Sequence, residues 1–439
     1  MNRYERYKDS GIPWLGEVPE HWIIMPIKFS LAMPITDGPH ETPEILSDGI
    51  PFISAEAVKN DKLDFNKKRG YISEEDNARF SRKYSPQKGD IYMVKSGATT
   101  GNVAKVETDE VFNIWSPLAV MRPNKNRIST DFLFYAIKSD YFNTSVQLKW
   151  NMGTQQNIGM GILSNIRVVV PPTDEQTAIA HYLDSKLGEI DALIDKQQTL
   201  LEKLAEQRTA VITHAVTKGL DPASPMKKSG VEWLGDVPAH WDIKHSNQIF
   251  KIHNGATPKT SEPDYWGDEI VWFTPKDLGD NQNKEISTSL KMITKEGYEN
   301  CGVSLAPAKS IALSKRAPIG HLAITLLPAV VNQGCFLLEV LAPNDVNYLY
   351  YWLYANKTTL NSFGQGSTFM ELPREKFAML KISTPPKDEQ TSIAEYLDQE
   401  TAKIDRLCET VNQTIGRLKE YRTALITQAV TGKIKVTDE

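Results

Sequence analysis

Apolar residues recur at alternating spacings of three and four along two stretches of the chain. Leu183, Leu187, Ile190, Ile194, Leu201, Leu204, Val211 and Ala215 form the first series, with Gln197 and Arg208 at the two remaining seam positions. Leu397, Thr401, Ile404, Cys408, Val411, Ile415, Leu418, Arg422, Leu425 and Ala429 form the second. A seam sustained over roughly forty residues predicts a coiled-coil helix in each stretch, about 60 Å long at ~1.5 Å per residue. Prolines at 171–172 and 385–386 cannot lie inside a helix, so they set both starts, with Asp174 and Asp388 as the expected N-terminal caps. A long helix with so narrow an apolar stripe needs a partner, and the other copy in the same chain is the nearest. The expectation is an antiparallel pair, with the globular parts at its opposite ends and related by a pseudo-twofold axis. The bland alternative packs each helix on its own globular part.

Between these stretches the period changes. "GIPFIS", "GDIYMV", "NIWSPLAVMRP" and "IRVVV" are short β-branched or aromatic runs punctuated by Gly, Pro and Asn, which predicts an irregular sheet. "STDFLFYAIKSDYF" (129–142) reads as one helix capped by Ser129 or Thr130. Later in the chain, "IVWFT", "SIALSKRAPIGHLAI", "VVNQGCFLLEVL" and the helix "NDVNYLYYWLYANK" answer in the same order. The segment "TKGLDPASPMKKSG" (217–230) reads as a flexible connection out of the first helix.

The order is the same because the chain is a tandem duplication. "SGIPWLGEVPEHW" (10–22) returns as "SGVEWLGDVPAHW" (229–241), and "PPTDEQTAIAHYLD" (171–184) as "PPKDEQTSIAEYLD" (385–398). "RTAVITHAVT" (208–217) returns as "RTALITQAVT" (422–431). The helices agree at about half of their positions, whereas the globular parts share only scattered apolar and glycine landmarks. A scaffold that pairs with itself and carries two readers of different targets has this pattern.

Composition removes several function classes. The 439 residues, 40% hydrophobic and 24% charged, suffice for two or three ordinary cores. A net charge of −5 gives no global basic signature, so a nucleic-acid contact must rest on local patches. One such patch lies at 62–105, where ten Lys and Arg face five Asp and Glu. Three scattered cysteines suit neither a disulfide framework nor a zinc site and fit a reducing cytoplasm. No apolar run reaches the ~18 residues of a membrane span, and "MNRYERYKDSG" lacks a signal-peptide core.

Catalytic signatures are missing. There is no phosphate-binding Gly-rich loop ending in Lys-Ser/Thr, no His-Glu-x-x-His, no nucleophile elbow and no Asn/Asp-Pro-Pro-aromatic motif of amino-methyltransferases. The eight histidines fall singly, and His21 and His240 sit in the repeated opening as packing residues. Three pairs of polar, Gly-containing turns hold more chemistry. "VKSGATTGNVA" (94–104) offers Lys95, Ser96, Thr99 and Thr100, and "LSKRAPIGHLA" (313–323) offers Lys315 and Arg316. "GTQQNIG" (153–159) offers Gln155 and Gln156, and "GQGSTFME" (364–371) offers Ser367 and Thr368. "ITDGPHETP" (35–43) and "HNGATPKTSEPDYW" (253–266) form the third pair. Such turns bring amides, hydroxyls and a cation within reach of a phosphate or base edge, though each residue alone is also compatible with ordinary turn chemistry.

The opening "YKDSGIPWLGEVPEHW" with its repeat, the helix entries "VVPPTDEQTAIAHYLD" and "STPPKDEQTSIAEYLD", and the turn "SKRAPIG" resemble the specificity subunit of type I restriction–modification systems. The resemblance covers nearly the whole chain. It departs at 153–159, where that family often shows a Gly-Ser-Thr turn, which the second copy keeps at Ser367 and Thr368. The resemblance implies an α+β protein in which two mixed α/β target-recognition domains are separated by a pair of long antiparallel coiled-coil helices. On that basis the first recognition domain spans 1–173, the first helix 174–217, a linker 218–229, the second domain 230–387, the second helix 388–432 and a tail 433–439. Each domain is expected to read one half of a bipartite, asymmetric site in double-stranded DNA. Two methyltransferase subunits are expected on the helices, joined by restriction/translocase subunits, with no membrane partner and a cytoplasmic location. The resemblance implies that the subunit needs no cofactor itself, and that S-adenosylmethionine, ATP and Mg2+ belong to the partners, as do the adenine-specific methylation and the cleavage. The alternatives are a specificity subunit whose partner fuses nuclease and methyltransferase, and a duplicated coiled-coil scaffold that binds only proteins.

Overall fold

The first long helix runs Thr173–Lys218 and the second Lys387–Val430. Their first internal bonds are donated by Gln176 N to Pro172 O and by Gln390 N to Pro386 O. The prolines therefore hold the capping positions, and the expectation that Asp174 and Asp388 are caps is corrected. Both lie in the first turn, where a carboxylate is favoured by the positive end of the helix. The computed structural model describes residues 3–149, 151–152, 156–366 and 370–436. It divides into two units, one of Met1–Gln197 with Asn412–Glu439 and one of Gln198–Val411. Each unit is α+β and takes one part of each long helix.

Within each unit the helix parts run antiparallel. In the second unit Arg208 pairs with Asp405, while residue 219, just beyond the first helix, lies against Glu389 at the start of the second. In the first unit Arg422 Nε donates to Asp191 Oδ1 at 3.0 Å, and Gly432 packs on the Trp22 ring that Glu175 holds. Arg208 and Arg422 are equivalent in the two copies, as are Asp191 and Asp405, each offset by 214 (422 − 208 and 405 − 191). The same ion pair is thus built twice, which explains an arginine at an apolar seam position. The guanidinium reaches over the seam to the facing helix, and its stem covers apolar surface. Around these pairs Leu183, Leu187, Ile190, Leu397, Ile404 and Leu425 are buried as the heptads require.

The repeated words of the sequence meet at the helix starts. Glu175 accepts from Trp22 Nε1 at 3.1 Å and Tyr4 Oη at 2.7 Å, and its other oxygen lies 2.6 Å from His21 Nε2. Glu389 repeats this with Trp241 Nε1 at 3.0 Å and His240 Nε2 at 2.7 Å. The next residue ties the entry to a second helix. Gln176 Oε1 accepts from Ser129 N, the cap of Thr130–Lys138, and Gln390 Oε1 accepts from Asp345 N, the cap of Val346–Ala355. "HW" and "DEQ" therefore recur together because each is one half of a joint. The joint closes over Gly432 in the first unit and Gly219 in the second, both at positive φ against the same Trp–Pro pair. Gly219 and the Lys218 Nζ bond to Asp236 O anchor the connection at 217–230, and Met226–Lys228 pairs as a strand with Asp236–Pro238. The flexible linker expected there is a built hairpin.

The first globular part carries a four-stranded antiparallel sheet in the order Val103–Lys105, Ile91–Val94, Leu118–Met121, Thr36–Asp37. A three-stranded sheet, Asn113–Ile114, Ile50–Ile53, Gly70–Ile72, adds one parallel pairing. The second globular part has five strands (Phe250–Asn254, Cys335–Val340, Ile311–Ser314, Leu322–Thr325, Glu285–Ile286) and a separate four (Trp266–Gly267, Met292–Ile293, Ile270–Phe273, Ala329–Val331). In both, the strand that leaves the small sheet in parallel pairing turns at once into the large sheet. Ser129 caps Thr130–Lys138 as expected, but the helix does not continue to 142. Ser139 is extended, bonds back to Ala136 O, and starts a separate helix, Asp140–Gln147. No described helix is long and apolar enough to cross a membrane.

Candidate nucleic-acid interface

The polar turns singled out in the sequence converge in each unit, around a fourth turn that was read only as strand. In the first unit that turn is Trp115–Pro117. Trp115 N donates to Ile53 O and Lys95 N to Pro117 O, each within 3 Å. Gly38 packs so closely on it that a Cβ there would lie 2.1 Å from Ile114 O. On the other side Ile158 N donates to Lys95 O, and Ser96 pairs with Asn157. In the second unit Asn332–Gly334 does the same work. Asn332 N donates to Phe273 O, Lys315 N to Gly334 O, and a Cβ on Gly255 would lie 1.9 Å from Asn332 O. Gly38 and Gly255 are thus glycine because a backbone passes where a side chain would stand.

The cations of these turns are held by acids. Lys95 is only 9% exposed, and its ammonium lies 3.0 Å from the buried Asp37, which also takes Lys83 at 2.5 Å and His40 at 3.0 Å. Burial alone would raise the Asp37 carboxyl, but hydrogen bonds and charge from Lys83 and Lys95 outweigh it and hold the group below its ordinary value. Lys315 and Arg316 both grip Glu371, at 2.8 and 2.9 Å, with the Lys315 ammonium 5.0 Å from the centre of the Phe336 ring. Glu371 is likewise lowered, its burial being overcome by the two cations. Each cluster sets two fixed cations against one carboxylate, which leaves about one positive charge per cluster, the sign that suits a phosphate.

The predicted residues divide accordingly. Thr99 is exposed, while Thr100 folds its hydroxyl back to Gly97 O at 2.6 Å and Ser96 is half-buried. Arg316 is the more open of its pair, with 45% of its side chain accessible. Gln156 lies in a short strand, Gln156–Asn157. Gln155, Ser367 and Thr368 fall outside the described residues. Two exposed residues, one in a central turn and one lying over the other, are missing from the sequence-based candidates. Gln333 accepts a hydrogen bond from the Thr257 hydroxyl, and Arg69 lies over Trp115, its guanidinium carbon 3.8 Å from the ring centre. An arginine or glutamine beside a turn has no sequence signature of its own, and only the packing of distant turns picks out these two. Among the described residues no group of three or more His, Cys, Asp and Glu is placed to hold a metal ion.

Each unit thus carries one polar turn cluster on its own α+β part, and both units take part of the same two long helices. The family described as the type I restriction modification DNA specificity domain matches residues 39–203 and 238–417, most of the chain, and the chain belongs to it. A putative type I restriction enzyme MjaX specificity subunit of Methanocaldococcus jannaschii is 26% identical over 98% of this chain and 97% of its own length. The EcoKI specificity subunit of Escherichia coli K12 is 21% identical over 95% of this chain and 90% of its own. The HsdS subunit of Thermoanaerobacter tengcongensis shares the fold at TM-score 0.53 and 17% identity, covering 95% of this chain and 98% of that one. A structure from a study of type I R-M complex assembly reaches TM-score 0.72, also at 17% identity, over 95% of this chain and 99% of that chain. The function is DNA sequence recognition within a type I restriction–modification system.

Proposed function

We propose that each unit reads one half of a bipartite, asymmetric site in double-stranded DNA, through recognition domains at 1–173 and 230–387. The observation that carries this is the turn cluster built twice on one backbone plan, with different side chains at its surface. Identical clusters would suit a symmetric site; Thr99 and Trp115 in one and Arg316 and Gln333 in the other suit two different sequences. Lys95 and Lys315 then serve mainly to fix the turns and supply residual charge, while Thr99 and Arg316 are the contacts among the predicted residues. Gln155, Gln156, Ser367 and Thr368 are proposed to join them, because the strand pairing of Ser96 with Asn157 and of Gln365 with Glu371 ties both flanking loops to the clusters.

The subunit performs no chemistry in this proposal. Two methyltransferase subunits dock on the repeated helix faces, where Leu193 and Leu407 occupy equivalent positions and are 46% and 52% exposed. Tyr182 and Tyr396, also equivalent, border the same faces. Apolar residues that stay open at the same place in both copies support two like partners. Restriction/translocase subunits join them, and S-adenosylmethionine, ATP and Mg2+ act in those partners. The test is methylation mapping of genomic DNA exposed to the chain assembled with its methyltransferase. Methylation confined to two unrelated short sequences at a fixed spacing is expected. A single contiguous or palindromic motif, or none, refutes the two-reader proposal.

A further inference from the structure

Three arginines of the first unit lie over aromatic rings, and two of them are already committed. Arg79, 4.8 Å from the Phe80 ring, pairs with Asp76 and Glu41, and Arg122, 5.4 Å from the Tyr84 ring, pairs with Asp90. Arg69 is different. Its guanidinium is the closest to its ring, at 3.8 Å from the centre of Trp115, the residue is exposed, and no carboxylate among the described residues pairs with it. Its main chain is fixed, since Arg69 N donates to Phe52 O at 2.9 Å and the next residue enters the strand Gly70–Ile72. Trp115 is fixed as well, because it opens the central turn on which Gly38 and Lys95 are packed. The indole carries a further mark: its Nε1 is buried without a hydrogen-bond acceptor among the described residues.

A guanidinium centred 3.8 Å over a held ring has lost much of its rotamer entropy before any ligand arrives. Its fork fits a planar acceptor pair, and it is free for a base edge where neighbouring lysines can take the phosphates. Such lysines stand alongside. Lys62 and Lys67 are exposed, and Lys68 sits over the Tyr71 ring at 4.9 Å, none with an acidic partner among the described residues. The lysines can follow the DNA backbone while the arginine reads. Two parallel N–H groups match the O6 and N7 acceptors of guanine in the major groove. We propose that Arg69, held over Trp115, reads one guanine in the half-site of the first unit. This rests on the reading of that unit as one of two DNA readers.

The experiment uses the full chain assembled with its methyltransferase and a pool of duplexes randomised across both half-sites, read by methylation sequencing. The wild-type assembly should require guanine at one position of one half. Arg69→Lys keeps the charge but not the plane, and should relax that position alone by roughly 5- to 150-fold, leaving the other half unchanged. Trp115→Ala should relax the same position and Trp115→Phe should keep it. The unchanged half reports that each variant folds and assembles. Retention of the guanine requirement in Arg69→Lys, relaxation at a base other than guanine, or an equal loss for all sequences overturns the role of Arg69 and leaves the two-reader proposal standing. A wild-type assembly without preference in either half overturns both.

Discussion

Glu175 and Glu389 allow the duplicated joint to be tested one copy against the other. Glu175→Ala removes the acceptor shared by Trp22, Tyr4 and His21. Trp22 is fully buried, so its indole N–H is left unpaired, at about 1–3 kcal/mol. The Tyr4 hydroxyl, half-buried, adds about 1 kcal/mol. His21, with 47% of its side chain accessible, adds only a few tenths, roughly, after solvent screening. The total is about 3 kcal/mol. Glu389→Ala removes only the Trp241 and His240 bonds, and should cost about 1 kcal/mol less. Urea unfolding gives the size of each loss, and hydrogen exchange followed by mass spectrometry gives its place. Glu175→Ala should speed exchange in 7–22 and 424–434, and Glu389→Ala in 210–241. A double-mutant cycle with Tyr4→Phe should return a coupling of about 1 kcal/mol for Glu175. Equal losses in the two variants, a loss below about 1 kcal/mol for Glu175→Ala, or exchange in the wrong unit would refute the account of the joint.

Three further outcomes are expected. Asp37→Asn should cost about 3–5 kcal/mol at pH 7, because it strands the enclosed Lys95. Since the folded Asp37 carboxyl lies below its unfolded value, that stability is present above the unfolded value and lost as pH falls through the folded one; urea midpoints of wild type and variant should converge below about pH 4. Gly38→Ala and Gly255→Ala should each disturb one central turn, so methylation mapping should show lost discrimination in one half-site and not the other; loss in both halves, or in neither, counts against the separate readers. Glu371→Gln frees Lys315 and Arg316, so binding to unrelated DNA should tighten and its log–log salt slope steepen by up to about one unit, whereas an unchanged slope removes this cluster from the phosphate path.

The large features were legible because they are local or repeated. Heptads need only neighbours a few residues away, and Pro171–Pro172 and Pro385–Pro386 mark the helix starts by their own chemistry. Recurrence in both copies also drew attention to the polar turns that converge. Long-range contacts were hidden. Arg208 at an apolar seam makes sense only once Asp405, on the other helix, lies beside it. Lys95 reads as a surface cation until Asp37, brought back by another strand, encloses it. Trp115 belongs to a run that looks like strand, and the turn it begins is set by parallel pairing with Ile50–Ile53. Ser139 broke a helix whose apolar pattern carried straight on, because its hydroxyl bonds back to the preceding turn.

The packing of Gly432 on Pro19 and Trp22 also sets an order in time. The second unit is made of one continuous stretch, Gln198–Val411, and can close as soon as those residues leave the ribosome. The first unit is begun earlier but lacks Asn412–Glu439, so its opening strands, Tyr7–Asp9 paired with Glu17–Pro19, and the start of its long helix wait for a strip of helix not yet made. At translation rates of about 5–20 residues per second the wait is roughly 10–50 s. Domains usually mature in the order they are synthesised; here the first to be translated is the last to be finished, and during that interval the seam of its long helix has no facing helix to cover it.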